Sequence, residues 1–190
     1  MKIGIDISQI VYEGTGVARY TKNLVENLLK IDKKNTYVLF GASLRKRKLL
    51  NCYIAKLLKR FENVSGRIYF FSPTFLEFLW NKLHIFPIEW FVGEIDVFLS
   101  SDWTQPPTLK AKKVTVVHDL TCWKFPEQMH PRIVAVQKRR MKWVKKECDL
   151  IIADSHATKR DLVEIIGIPE ERIRVVYLGC NRRNPKCFRN

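Results

Sequence analysis

Seven short apolar runs, four to six residues each and separated by stretches of helical periodicity, limit this chain to one broad architecture. Residues 3–8 (IGIDIS), 36–40 (TYVLF), 67–71 (RIYFF), 95–99 (IDVFL), 114–117 (VTVV), 150–153 (LIIA) and 173–178 read as strands. Runs this apolar suit strands buried on both faces. Residues 17–31, 44–60, 74–92, 132–147 and 155–166 read as the intervening helices. Val17, Tyr20, Leu24, Val25, Leu28 and Ile31 set the period of the first, and Pro87 interrupts the third. Ser155 as N-cap, and Gly167 with Pro169 as stop, bound the last. Strand alternating with helix predicts an α/β fold: a Rossmann-like parallel sheet with helices on both faces. No repeat or low-complexity linker breaks the pattern, so residues 1–180 are expected to form one domain and 181–190 a basic C-terminal tail.

Composition permits such a core, with 46% apolar and 12% aromatic residues. Charge is the unusual quantity. Lys and Arg number 34 against 19 Asp and Glu, a formal +15. That field bears on partners and steering rather than on fold, and suits phosphate-bearing small molecules, anionic headgroups or nucleic acid. The five cysteines form no C-x-x-C pair, so neither a zinc ribbon nor a redox motif is indicated, and reduced thiols are expected. Cys148 and Cys180 read as small buried hydrophobes. The N-terminus has no signal-peptide architecture, and no apolar run reaches roughly 18 residues. A cytoplasmic protein, or one peripheral on the inner face of a membrane, is expected.

In open parallel sheets ligands bind beyond the carboxyl ends of the strands, so the loops at 9–16, 100–108, 118–131 and 154–155 are the places to search. Gly14, Thr15 and Gly16 let backbone N–H groups approach an anion at a helix start, and Arg19 adds a cation on its first turn. The spacing matches neither a G-x-G-x-x-G nor a Walker A loop, and a simple tight turn explains the glycines equally. His118 directly follows a buried strand, where its imidazole could bond a sugar hydroxyl or move a proton with Asp119 orienting it or the substrate. A strand-capping His and a turn-capping Asp are the structural alternative. Ser155 is explained by its N-cap role alone, with a ligand role as addition. Asp102 and Trp103 could line the same crevice. No metal site is indicated.

Two stretches suggest a surface role. Residues 45–60 carry seven cations and no acid, interleaved with Leu49, Leu50, Tyr53, Ile54, Leu57 and Leu58. Residues 74–92 add Phe75, Phe78, Trp80, Phe86, Trp90 and Phe91. The pattern suits an anionic membrane surface, or equally two helices packed on the sheet with a solvated charged face. A nucleic-acid-binding module is disfavoured, because no helix-turn-helix, RNA-recognition or zinc-finger signature is present.

The order of the motifs carries a resemblance. IGIDIS followed by GTGVARYTKNLVENLL, then FLEFLWNKLHIFPIEW and IDVFLSSDWTQPP, VTVVHDLTCWKFPEQMHP, and CDLIIADSHATKRDLVEIIGIPEERIRVVYLG together resemble the N-terminal, Rossmann-like half of a GT-B glycosyltransferase of the family 4 retaining kind. The resemblance covers residues 1 to about 180. It implies an acceptor-side domain facing a second, donor-binding domain across a cleft, with a nucleotide sugar as donor substrate and no cofactor or metal. By that resemblance Gly14, Thr15 and Gly16 approach the donor phosphates or the acceptor. His118 touches the transferred sugar as the catalytic-site residue, Asp119 lies alongside, and Arg19 and Ser155 are further substrate-binding positions. The acceptor is expected to be a sugar or lipid-linked molecule. Nothing after Gly179 corresponds to a donor-binding domain, so the chain is expected to turn over poorly without a separate C-terminal domain chain, with homodimerisation through the uncovered face as a further expectation. Sugar transfer by the pure 190-residue chain tests this.

Overall fold

A computed structural model of the chain describes residues 1–179, so the expected tail at 181–190, together with Cys180 and Cys187, lies outside the described residues. The strands are β1 (Lys2–Asp6), β2 (Thr36–Ala42), β3 (Val64–Tyr69), β4 (Val97–Ser100), β5 (Lys112–Val117), β6 (Leu150–Ala153) and β7 (Ile173–Val175). They form one sheet in the order β3-β2-β1-β4-β5-β6-β7, and every neighbouring pair is parallel. This is the doubly wound order, in which the chain progresses outward in opposite directions from β1 and β4.

The helices are α1 (Gly16–Ile31), α2 (Arg47–Leu58), α3 (Pro73–Glu77), α4 (Glu89–Val92), α5 (Thr121–Lys124), α6 (Pro131–Glu147) and α7 (His156–Asp161). Side-chain alternation along β2 explains the two layers. Tyr37 and Leu39 join Val25 and Leu29 of α1 and Leu50, Ile54 and Leu57 of α2 in one cluster. Val38, Phe40 and Ala42 join Leu76, Trp80, Ile88 and Val92 in a second. A third core forms where β6 and β7 meet α6 and α7, around Val144, Ile151, Leu162 and Ile173. Each aliphatic side chain so buried contributes about 1.5–3 kcal/mol, offset by ordering entropy.

Several boundaries differ from the sequence expectation. β3 begins at Val64 rather than 67, because its six residues pair in register with Tyr37–Ala42 and the partner strand ends there, leaving Phe70 and Phe71 beyond the sheet. Residues 74–92 do not form one helix broken only at Pro87. After α3 a π-helical turn, Phe78–Leu83, stops at His84, whose φ of 56° is left-handed, and Phe86 is also left-handed at 63°. Trp80 is fully buried, and its indole Nε1 donates to the Phe86 carbonyl at 3.0 Å, which anchors that bend. The helix expected over 155–166 is α7 continued by a π-helical turn, Leu162–Ile166, and ends at left-handed Gly167 as anticipated. Cys148 is buried and unpaired, as read from the sequence.

Candidate functional site

The topological switch point lies between β1 and β4, and the loops leaving them part there to open a crevice. Asp6, Tyr20, Thr21, Ser101, Asp102 and His118 line it, interspersed with the apolar Ile5, Val17, Leu24, Leu99 and Val116. Three strands and the first turns of α1 therefore supply its groups.

His118 stands one residue beyond β5. Its Nδ1 lies 2.5 Å from Oδ2 of Asp154, the residue after β6. A carboxylate only accepts, so the proton resides on Nδ1, and in the neutral ring Nε2 is left with its lone pair. The Tyr20 ring packs edge-on against the imidazole, with centroids 5.0 Å apart and planes at 82°. Burial pushes the Tyr20 hydroxyl up to about 12, with the Asp154 charge adding to it, so it acts as a neutral donor. The second oxygen of Asp154 is buried without a hydrogen-bond partner among the described residues.

The floor is acidic and hydroxylic. Burial raises the Asp6 carboxyl above its ordinary value, although the backbone N–H of Ser8 donates to it at 2.8 Å. Burial likewise raises Asp102, while the charges of Arg140 and His118 pull it partly back. One Asp102 oxygen is buried without a hydrogen-bond partner among the described residues. Below it, the Ser100 hydroxyl donates to Gln105 at 2.7 Å or to Thr115 at 2.8 Å. Arg140 of α6, 2% exposed, donates to Thr115 Oγ1 at 2.7 Å and to the Val116 carbonyl at 2.9 Å.

The other positions read from sequence fall around this centre with different roles. Thr15 is the N-cap of α1: its hydroxyl oxygen accepts from the Ala18 N–H at 3.2 Å and its proton goes to the Tyr12 carbonyl at 2.8 Å. Gly14 has φ of 89°, which demands glycine, and neither Gly14 nor Gly16 has any atom within 4 Å of where a Cβ would stand. The loop thus faces open space. Arg19 is exposed on the first turn of α1. Asp119 is not the imidazole's partner: its Oδ1 accepts from the Thr121 N–H at 2.9 Å at the start of α5. Ser155 caps α7 through the Thr158 N–H at 3.1 Å, and Thr158 Oγ1 donates to the His118 carbonyl at 3.0 Å. Ser155 therefore supports the His118 backbone through one intermediary.

Sequence reasoning missed Asp154, Tyr20 and Asp6. Asp154 had a signal, an acid at the carboxyl end of a strand, and Asp6 another, an acid inside an apolar run. Among the described residues, no group of three or more His, Cys, Asp or Glu is arranged to hold a metal ion.

In a doubly wound parallel sheet, the crevice at the switch point is where ligands bind. The chain belongs to Glycosyltransferase Family 4, whose family model matches residues 14–183. No curated protein matches it.

Proposed function

We propose that this glycosyltransferase domain is the acceptor-binding half of a retaining, nucleotide-sugar-dependent enzyme, and that its crevice holds a sugar or the sugar part of a lipid-linked acceptor. The observation that carries this reading is the chemistry of the floor. Asp6, Asp102, Ser101 and the lone pair of His118 Nε2 are acceptors or hydroxyls, the groups that pair with the many O–H donors of a sugar. A diphosphate would meet two carboxylates there and be repelled. The donor phosphates are better served by the open space at Gly14 and Gly16 where α1 starts, with Arg19 on its first turn; the Thr15 N–H is already given to the Tyr12 carbonyl at 3.2 Å. His118 then hydrogen-bonds the transferred sugar, and Asp154 holds the imidazole in the tautomer that does so. Positioning two substrates and stabilising a departing nucleoside diphosphate need little covalent chemistry from the protein.

Saturation-transfer difference NMR tests the reading on the chain itself. Methyl glycosides of glucose, mannose and galactose are the probes, read on the native protein and on His118→Ala. Saturation of at least one glycoside that His118→Ala abolishes supports it. Absence of saturation for all three, or signals indifferent to the substitution, refutes it.

A further inference from the structure

The carboxyl edge of the sheet carries a surface that the crevice does not use. The turn after β2 and the start of α2 present Arg45, Lys46, Arg47 and Lys48 in succession, all exposed, and Leu44 before them is 44% exposed. No acid occurs in the sequence from residue 33 to 61. Phe70, just beyond β3, is 61% exposed, with the Arg47 guanidinium 5.6 Å over its ring. Phe71 and the exposed Phe75 continue the apolar strip, their ring centroids 5.4 Å apart. A bulky apolar strip is thus interleaved with cations on one rim.

We propose that this rim docks on an anionic lipid bilayer, with Leu44, Phe70 and Phe75 entering the headgroup boundary and Arg45, Arg47 and Lys48 meeting anionic headgroups. Apolar insertion combined with cationic attraction is what an interfacial surface requires. A single-stranded nucleic acid would need open aromatic faces for stacking. Here Arg47 covers the Phe70 ring, while Phe71 lies stacked on Tyr69 and against Phe75 and Phe91. A second copy of the same rim would bring four cations against four and be repelled.

The structure narrows the surface relative to the sequence pattern. Within residues 45–60 the apolar face is core, with Leu50, Tyr53, Ile54 and Leu57 buried. Trp90, though 65% exposed, belongs to the opposite, amino edge, where nearby Gly93 approaches the Lys2 side chain at the start of β1. The rim, by contrast, adjoins the crevice. Lys46 Nζ donates to the Val11 carbonyl at 2.9 Å, next to Tyr12 at the entry to the glycine loop. Docking would set the mouth of the crevice beside the bilayer, and the consequence that a lipid-anchored acceptor could reach it rests on the proposed function. The docking itself does not.

Vesicle co-sedimentation of the full chain needs no donor, acceptor or turnover. The probes are vesicles of pure phosphatidylcholine and of phosphatidylcholine mixed equally with phosphatidylglycerol. The native chain should bind the mixed vesicles in low salt and the neutral ones weakly. Arg45→Gln/Arg47→Gln/Lys48→Gln should lower that partition by about a hundredfold, roughly fivefold per charge. Leu44→Ser/Phe70→Ser should lower it on both vesicle types. The comparison variant Lys110→Gln/Lys138→Gln/Lys142→Gln removes the same charge from exposed positions elsewhere and should retain most binding. All substituted residues are exposed, and circular dichroism confirms folding. An equal loss in the two triple variants, indifference to Leu44→Ser/Phe70→Ser, or binding of single-stranded RNA in place of vesicles would each overturn the proposal.

Discussion

Replacing Asp154 by Ala tests the central geometric claim about the site. The native bond joins His118 Nδ1 to a carboxylate oxygen at 2.5 Å, with the two side chains 21% and 12% exposed. Hydrogen bonds to charged groups contribute about 1.5–3 kcal/mol, and partial exposure places this one near the low end, about 1.5 kcal/mol. For a chain of this size each kcal/mol moves the melting temperature by about 2–4 °C, so a fall of roughly 3–6 °C is expected. The more specific readout is the tautomer. Two-bond 15N–1H NMR at a pH where the ring is neutral should find the native proton on Nδ1. In Asp154→Ala the proton should move to Nε2, the nitrogen intended to accept from a ligand hydroxyl. Sugar binding should then weaken although His118 is still present. A native ring protonated on Nε2, or one whose tautomer ignores the substitution, would refute the claim that Asp154 orients His118.

Three further outcomes follow from packing and charge. Glu147→Gln removes the negative charge shared by Lys113 and His84, whose Nε2 lies 3.0 Å from the carboxylate, and leaves the buried Lys113 ammonium without a counter-charge; with Glu147 itself 22% exposed, the loss should be about 2 kcal/mol at pH 7. Burial pushes Glu147 up, but bonds from Lys113 and His84 hold it below its ordinary 4.5, so its stabilising contribution is complete above that value. It is lost as pH falls through the folded value, and thermal melts should show the native and Glu147→Gln curves converging below about pH 4.5. Trp80→Ala should cost about 3–5 kcal/mol by chemical denaturation, because a fully buried indole leaves a cavity and the Phe86 carbonyl loses its donor. Thr15→Ala should cost about 1 kcal/mol through loss of the α1 cap, read from the urea midpoint.

The inner strands were legible because a parallel strand covered on both faces must be a nearly continuous apolar run; the edge strand β3 was found only by its second half, because Ser65 and Gly66 break its apolar run. The loops of the site were legible for the same reason: His118, the glycine loop and Ser155 each follow such a run. The pairing of His118 was not. Asp119 is its neighbour in sequence, but Asp154, thirty-six residues away, lies beside it because β5 and β6 are adjacent in the sheet. Tyr20 fitted the apolar period of α1, and periodicity says nothing of which ring it meets at the helix end. The segment 74–92 was misread because no Gly or Asn marks its left-handed residues; Phe86 is held by the Trp80 indole, and His84 by its ring's bonds to the Trp80 carbonyl and to Glu147 of α6. Amphipathicity in 45–60 revealed an apolar face but not that the sheet covers it.

Arg140 raises a different question, since a buried cation is an expensive way to join α6 to β5. Its bond to Thr115 could be forgone, since Thr115 keeps Ser100 as a partner. Replacement of a buried charge by an apolar side chain of similar volume is often close to neutral. What an apolar residue cannot supply is the charge that opposes the burial penalty on Asp102. Arg140→Met should therefore be only mildly destabilising where Asp102 is protonated. A carboxyl raised in the folded state contributes stability that is present below its ordinary 3.8 and lost as pH rises through the folded value. Removing Arg140 raises that folded value further and deepens the loss, so the gap between native and variant should widen with pH, by about 1–2 kcal/mol given that Asp102 is partly exposed. Urea unfolding across that pH range measures the gap directly. Parallel stability profiles would mean that Arg140 serves packing alone, and that the floor of the crevice keeps its charge without help from α6.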